Sequence, residues 1–589
     1  MTVMKMKSKQ KNIRRNNISE LLLSLLIIAL FNIAGYYLFA RIDLTEGKRY
    51  SLSPTSKAIL NQVDDNVTFT VYLEGDFPAG FKKLRNETKE LLDEYRAYNR
   101  NIEYKFVDPS AGPDPLSIQN FHKQLIETKG LTPTYITVPT KSGKTQQIIF
   151  PAATIFYRNK EYNIQLLQIQ KGVPNDEVLN NSIQALEYNI SNALFKIITR
   201  QKPRIAFIEG HGELSDIETA SASNSLKEYY DIDRVKLDGK LNALAQRVSK
   251  DSANSDFINK YEAIIIAKPD SAFNRWDKYL IDQHIMRGGK VLWLIDPVYA
   301  SMDSLRASPE TMGINLNLNL EDMLFKYGVR LRSNLIMDLN ALSIPAPVSS
   351  VGGEQKYDFL PWFYSPIILP TSKHPIVNNL NVIKTEFISS IDTVGSPHIK
   401  KTILLTSSKY SKTLNSPVNI SLRILYRNPD EKQFNNPFQP VAVLLEGSFN
   451  SAFKNLMPPE LKDNKDFNFI DEGKETRMIV VSDGDIIKNQ IRLKDGQPLP
   501  LGYDKYTSQM FGNNDFILNC MNYLTDNTGL ISLRSSKTYK LRLLDLPKIN
   551  NNKLRIQIIN TALPVLIIII FGVLQAFFRR RKFSKTRKT

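Results

Sequence analysis

Two uncharged apolar runs constrain this chain more than any other feature. Leu21–Ala40 (LLLSLLIIALFNIAGYYLFA) holds twenty residues without a charge, and Ile556–Phe578 (IQIINTALPVLIIIIFGVLQAFF) holds twenty-three. About twenty apolar residues at helical rise span the hydrocarbon core of a bilayer. Each run abuts a basic tail. Residues 1–19 carry six Lys and Arg and no acid, and residues 579–589 carry seven. Most of the net charge of +18 therefore sits in two short tails. A nucleic-acid surface would place it on one face of a domain or along one helix, so nucleic acid is not an expected partner. The first run is long for the apolar region of a secretory signal, and no A-x-A site precedes Arg41, so it reads as an uncleaved anchor. Pro564 is tolerable in a membrane helix. The positive-inside rule keeps both tails cytoplasmic. The expectation is an inner-membrane protein with residues 41–555 in the periplasm: tail 1–20, span 21–40, exported body 41–545, linker 546–555, span 556–578, tail 579–589. The single cysteine, Cys520, allows no internal disulfide, which a body this large does not need.

The exported body reads as α/β in two parts. In residues 41–200, Val67–Leu73 (VTFTVYL) is a strand by composition. Leu84, Thr88, Leu91, Leu92, Tyr95 and Tyr98 have helical spacing, which predicts a helix over 82–99. Ile102–Val107 alternates as a second strand. Strand, helix, strand resembles the start of a thioredoxin-like domain, yet no C-x-x-C is present, which excludes dithiol redox chemistry. Two hairpins follow, one across Ser142-Gly143 and one across Arg158-Asn159-Lys160. A long amphipathic helix through Leu179, Ile183, Leu186, Ile190, Leu194 and Ile197 closes the part.

In residues 201–545, short apolar strands at Arg204–Ile208, Tyr261–Ala267 and Lys290–Ile295 alternate with helical stretches. That rhythm predicts a doubly wound parallel sheet. The expected sheet also takes in Asp231–Leu237, Leu335–Asp338, Thr402–Thr406, Val441–Glu446 and Met478–Ser482. Trp276, Leu280, Gln283 and His284 share a helical face ending at a Gly288-Gly289 C-cap. Residues 341–400, rich in Pro and Gly, read as an irregular insertion.

Gly210-His211-Gly212-Glu213 stands at the C-terminal end of the first strand of this sheet, where open α/β sheets place their ligands. His211 could act as a base oriented by Glu213 or Glu209. The structural alternative is a turn, with Ser215-x-x-Glu218 as a capping box for the next helix. Catalysis also needs a nucleophile or a metal, and the five histidines show no metal-ligand spacing. Asp483-Gly484-Asp485 could hold a cation, but more often forms a tight turn. With Asp296 it completes a possible ligand or partner site of Glu209, His211, Glu213, Asp296, Asp483 and Asp485. Gly143-Lys144-Thr145 is no phosphate loop, because Val138 stands where a glycine is required and the context is a hairpin. Gly512-Asn513-Asn514-Asp515 reads as a helix N-cap, and Ser53-Pro54 as a helix start. No cofactor or metal is expected.

Six stretches together carry a resemblance: RIDLTEGKRYSLS (41–53), IEGHGE (208–213), GGKVLWLIDP (288–297), VVSDGD (480–485), GNNDFILN (512–519) and LISLR (530–534). The chain resembles the GldG family, gliding-motility-associated auxiliary components of ABC transporters in Bacteroidota. The resemblance implies a middle domain similar to one in an intraflagellar transport protein, with a class I glutamine amidotransferase-like fold. Those enzymes need a nucleophilic cysteine at a strand–helix elbow, and the sequence offers none there. Also implied are a GldF-like permease and, through it, a cytoplasmic GldA-like ATPase. Membrane lipid and a periplasmic protein are further expected partners, with two copies in each complex. The leading expectation is a non-enzymatic accessory subunit. The alternatives are a solute-binding subunit with a pocket at the strand ends, and a membrane-anchored hydrolase using His211.

Overall fold

The computed structural model describes residues 51–584 except 141–142, 170–172, 200, 252–253, 352–353, 396–397, 459–467, 493 and 537–545, together with residues 18, 19, 21–30 and 32. The chain divides into two compact units, Met1–Lys537 and Thr538–Thr589. It is a mixed α/β protein with several sheets.

The first sheet begins with the expected strand–helix–strand. β1 (Val67–Val71) and β2 (Ile102–Phe106) pair in parallel around α2 (Ala79–Tyr98), and the order is β2-β1-β5-β6. Between them in sequence lies a separate hairpin of β3 (Thr134–Thr140) and β4 (Gly143–Ile149), so Gly143 opens a strand and no helix follows it. β5 (Ala152–Tyr157) and β6 (Lys160–Gln165) turn at Arg158 and Asn159, both at positive φ, which narrows the expected three-residue loop to two. α1 (Pro54–Leu60) starts as read: the Ser53 side chain accepts from the Ser56 amide at 3.1 Å. Ser53 N and Ser56 Oγ donate to Glu187 on α3 (Asn175–Ile198), both at 2.8 Å. The Leu84, Leu92 and Tyr95 face of α2 and the Leu186, Ile190 and Leu194 face of α3 fill the core. Leu530, Ile531 and Leu533 return to it from the far end of the body.

The second sheet has seven strands in the order β15-β17-β18-β10-β9-β7-β8: β7 (Arg204–Glu209), β8 (Asp231–Lys236), β9 (Ala263–Ala267), β10 (Lys290–Leu294), β15 (Ile399–Thr406), β17 (Pro440–Asn450) and β18 (Glu472–Val481). The five from β18 to β8 are parallel, whereas β17 runs antiparallel to both β18 and β15. The all-parallel expectation thus fails at β17, one strand in from the edge, and the sheet is mixed. All five residues of β9 are buried, as a strand covered on both faces must be. Ile265 and Leu292 point to a layer formed with α4 (Ala220–Lys227) and α7 (Asn513–Thr525), through Leu226, Phe516 and Cys520. Ile264 and Trp293 point to the opposite layer, formed with α5 (Arg275–Met286) and α6 (Glu321–Tyr327). The Gly288 C-cap holds, at φ +88, and Leu280, Gln283 and His284 are buried, whereas Trp276, in the first turn of the same helix, is exposed.

Two expectations change. β11 (Asn334–Asp338) pairs antiparallel with β16 (Ser411–Asn415) outside the large sheet. Residues 341–400 are largely regular: β12 (Ala341–Val351) and β13 (Glu354–Ile368) form a long hairpin, and β14 (Ile383–Lys384) adds to β13. Proline withholds one ladder donor, which costs little on an edge or at a bulge. The register shifts between Ala341 and Ser343 and between Pro347 and Ser349 fit that rule. Trp362, Phe363 and Tyr364 bury against Leu335 and Phe387 in a core of their own.

The second unit holds α8 (Leu546–Ser584), which carries Pro564 within it. Its Asn552–Phe578 stretch is long and apolar enough to cross a membrane, and its apolar side chains are exposed. The first expected span is described as helix over Leu21–Leu30, too short to cross alone. Residues 33–40 and the 41–50 part of the motif beside it lie outside the described residues.

Candidate functional site

His211 sits at the end of β7 on a turn that two glycines make possible, Gly210 at φ +121 and Gly212 at φ +71. A Cβ on Gly212 would lie 1.7 Å from Asp270 Oδ1, so the turn is closed by direct packing. The imidazole is buried and stacks on Phe273, with centroids 3.7 Å apart. Its Nδ1 lies 3.0 Å from Glu213 Oε1 and its Nε2 lies 3.0 Å from Asp277 Oδ2. Burial alone would lower its pKa, but hydrogen bonds and charge from Glu213 and Asp277 outweigh that and raise it. Both ring nitrogens thus serve as donors to carboxylates, the pattern of an imidazolium.

The carboxylates are satisfied as well. Glu213 Oε2 accepts the His211 amide at 2.7 Å. Asp277 accepts Gly239 N at 2.9 Å and Asn274 Nδ2 at 2.6 Å. A general base needs a free ring nitrogen facing substrate, and His211 has neither nitrogen free. Cys520 offers no nucleophile: it is buried in α7, across the sheet from the Phe273 layer, and burial pushes its thiol pKa up. Glu209 pairs instead with Arg234, at 2.5 Å. Ser215 and Glu218 form only half of the expected capping box: Ser215 N and Ser215 Oγ both donate to Glu218 Oε2, at 3.0 and 2.6 Å, but α4 starts at Ala220 with Thr219 as its N-cap and no side-chain capping bond.

A different constellation occupies the ends of β9, β10 and β18. Lys268 follows β9 at φ +52 and reaches Asp485, with Asp296 Oδ2 at 3.3 Å. Asp296 Oδ1 accepts Gly484 N at 2.5 Å, and Asp483 accepts Asp485 N at 2.8 Å and Glu386 N at 3.2 Å. A Cβ on Gly484 would lie 2.5 Å from Lys268 Cβ, so glycine lets the two strand ends approach. Burial pushes Asp296 up to about 6 against the pull of Lys268, and burial plus Asp296 and Asp485 raise Asp483 well above the ordinary carboxylate value. Burial and Asp485 push Glu386 up to about 7, against Lys384, Lys268 and Lys488. In front of this cluster lies a cavity of about 310 Å³ lined by Lys268, Lys384, Glu386, Asp485, Lys488 and Lys505, among others. Asn513 fixes one wall. Its side chain caps no amide of α7; it accepts Lys384 N at 3.0 Å and donates to Lys384 O at 2.8 Å. The expected N-cap is Gly512 alone, without a side-chain bond.

Of the six residues expected to form one site, Asp296, Asp483 and Asp485 come together, while His211 pairs with Glu213 and Glu209 pairs with Arg234. Asp296 and Asp483 lie behind the cavity wall. Sequence reasoning missed Asp277, Lys268, Lys384 and Glu386. Lys268 had a visible signal, directly after the buried run AIIIA. Asp277 had another, as the fourth residue of Asn274-x-x-Asp277.

Comparison with known proteins bears on the whole body. A family model described as an ABC-type uncharacterized transport system, for its auxiliary component, matches residues 202–520. The chain belongs to this family. The match covers the seven-stranded sheet, both clusters and α7 up to Cys520. A domain of unknown function (DUF7088) matches residues 46–156, which hold the first sheet up to β5. An uncharacterized protein of Borreliella burgdorferi is 23% identical over 451 residues, covering 75% of this chain and 79% of that one. Among solved structures, the mmIFT52 N-terminal domain covers 55% of this chain and 98% of that chain at 12% identity, with a TM-score of 0.29, too low to carry an argument. As a member of the family the chain is an auxiliary component of an ABC-type transport system, and α8 fits membrane association.

Proposed function

We propose that the chain is a non-enzymatic subunit tethered to the inner membrane, docking an ABC permease through its membrane helix and a periplasmic partner through its body. The observation that carries this reading is the exposed apolar surface of Asn552–Phe578 in a member of an ABC-transport family. The occupied nitrogens of His211 support the non-enzymatic part. Charge next to the two apolar runs supports cytoplasmic termini, a second anchor at 21–40 and contact of the tails with anionic lipid. Resemblance to the GldG family supports the finer assignments: gliding motility, a GldF-like permease, a GldA-like ATPase, two copies, and thioredoxin-like and amidotransferase-like domains.

The test is purification of the full-length protein in mild detergent, with its companions identified and quantified. A permease and an ATPase in fixed ratio are the expected result. A chain that purifies alone at native expression would overturn the reading.

One observation favours a second reading, a solute-binding subunit: the charged cavity at the C-terminal strand ends, where α/β sheets bind their ligands. Ligand-dependent thermal stabilisation is its signature.

A further inference from the structure

If the chain is a solute-binding subunit, the chemistry of the cavity walls narrows which solute it takes, and the ligand class rests on that second reading. The cavity of about 310 Å³ lies in the size range of small-molecule sites, about 300–1,000 Å³. Most charges around it are already matched. Lys268 serves Asp485 and Asp296, Lys384 serves Asp504 at 3.1 Å, Lys488 serves Glu218 at 3.1 Å, and Arg306 serves Asp303 at 2.7 Å.

Two lining charges are not matched. The half-buried Glu386 carboxylate makes no hydrogen bond and no ion pair among the described residues; its backbone amide donates to Asp483, and Lys384, Lys268 and Lys488 act on the carboxylate through their charge without pairing with it. The half-buried Lys505 ammonium makes no ion pair among them either, and lies over the Tyr506 ring, 5.2 Å from the centroid. A partly buried charge without a partner is unfavourable, and a ligand that supplies the partner binds through that deficit. A simple anion would meet Glu386, Asp485 and Glu218. A simple cation would meet Lys268, Lys384 and Lys488. A molecule carrying both charges can place each against its complement.

We propose that this cavity binds a small zwitterion of the amino-acid or short-peptide class, its ammonium on Glu386 and its carboxylate on Lys505. Asn489 and Gln490, which also line the cavity, can serve the amide or side chain between the two ends.

The test uses the full-length chain in mild detergent, with thermal shift and calorimetric titration. The probes are L-alanine and L-alanyl-L-alanine, the singly charged N-acetyl-L-alanyl-L-alanine and L-alanyl-L-alaninamide, and maltose and inorganic phosphate as other chemistries. At least one zwitterion should raise the melting temperature, and each singly charged analogue should bind at least about tenfold more weakly, the worth of one charge-assisted hydrogen bond. Glu386→Gln should abolish the preference for a free ammonium, and Lys505→Met the preference for a free carboxylate. Ligand-free melting of both variants checks that they fold. Equal binding of zwitterions and blocked analogues would overturn the proposal, as would affinities that neither substitution changes. If maltose or phosphate stabilises the protein and no zwitterion does, the ligand class is wrong and the solute-binding reading stands. If none of the probes stabilises it, both fall.

Discussion

The His211 turn and the Lys268 cluster occupy neighbouring strand ends of one sheet, and both bury ionised groups. They differ in how many of those groups are satisfied. Around His211 one cation stands between two carboxylates, and each carboxylate also accepts an amide or a side-chain donor. An aromatic ring covers one face of the imidazole. Around Lys268 the acids outnumber the near cation, the pKa values of Asp296 and Asp483 are driven up, and one wall is open to a cavity. Position at a strand end therefore does not mark a site by itself. What marks one is a charge left without a protein partner.

The largest effect should come from breaking the closed network. Asp277→Ala removes one of the two carboxylates holding His211 and strands the Gly239 amide. Removing one partner of a buried pair costs about 3–5 kcal/mol. Chemical denaturation should show a loss of that size at neutral pH. A loss below about 1 kcal/mol would mean that the histidine is less constrained than its hydrogen bonds imply.

Lys268→Met should cost less, about 1–3 kcal/mol at pH 7.5, because Asp296 and Asp483 can escape their lost partner by taking up protons. Their pKa values are raised above the ordinary carboxylate value even with Lys268 present. The cost of the substitution should therefore shrink as pH falls from about 7.5 to 5. A pH-independent cost would place the cluster in the same class as the His211 network.

Glu386→Gln sharpens the comparison through its sign. The folded pKa of Glu386, about 7, lies above its ordinary 4.5, so the folded state holds a proton that the unfolded state has released between those values. Its contribution makes the fold more stable at low pH and less stable as pH rises from about 4.5 through 7. The variant should match the parent at pH 4 and exceed it at pH 8, by on the order of 1–2 kcal/mol once partial solvent access is allowed for. His211 also has a raised pKa, so its contribution is present below its ordinary 6.5 and is lost as pH rises through the folded value. That loss is common to parent and variant and cancels in the difference. A variant less stable than the parent at pH 8 would show that Glu386 has a partner after all.

Legibility from sequence was a matter of range. Local patterns carried the first strand–helix–strand, the hairpin at Gly143, the Ser53 cap and the buried run of β9, because alternation, helical spacing and cap chemistry act within a few residues. The Gly-His-Gly-Glu turn was legible as a turn for the same reason. Its locking partner Asp277 is 66 residues away and announced itself only as a capping residue. The β12–β13 hairpin was misread because prolines count as breaks in sequence, whereas an edge hairpin with shifted register absorbs them. Glu386 left no signal: it comes after that hairpin in a stretch with no periodicity, and it reaches the Asp296–Asp485 cluster through the pairing of β14 with β13 and the clasp of Asn513 on Lys384.

The smallest effect is expected at Lys505, and it is the most discriminating between a structural and a binding role. Lys505 lines the same cavity as Lys268, yet its ammonium makes no ion pair among the described residues. Lys505→Met keeps an unbranched side chain one atom shorter and removes the ammonium. Unfolding stability should then stay within about 1 kcal/mol of the parent, because the contact that is lost is an exposed cation–π contact with Tyr506. A larger loss would mean that Lys505 is part of the scaffold, as Lys268 is, and the cavity would then hold no cation to spare for a ligand. An unchanged melting temperature combined with weakened binding of alanyl-alanine would separate the two lysines: one holds the strand ends together, and the other waits for a carboxylate from outside.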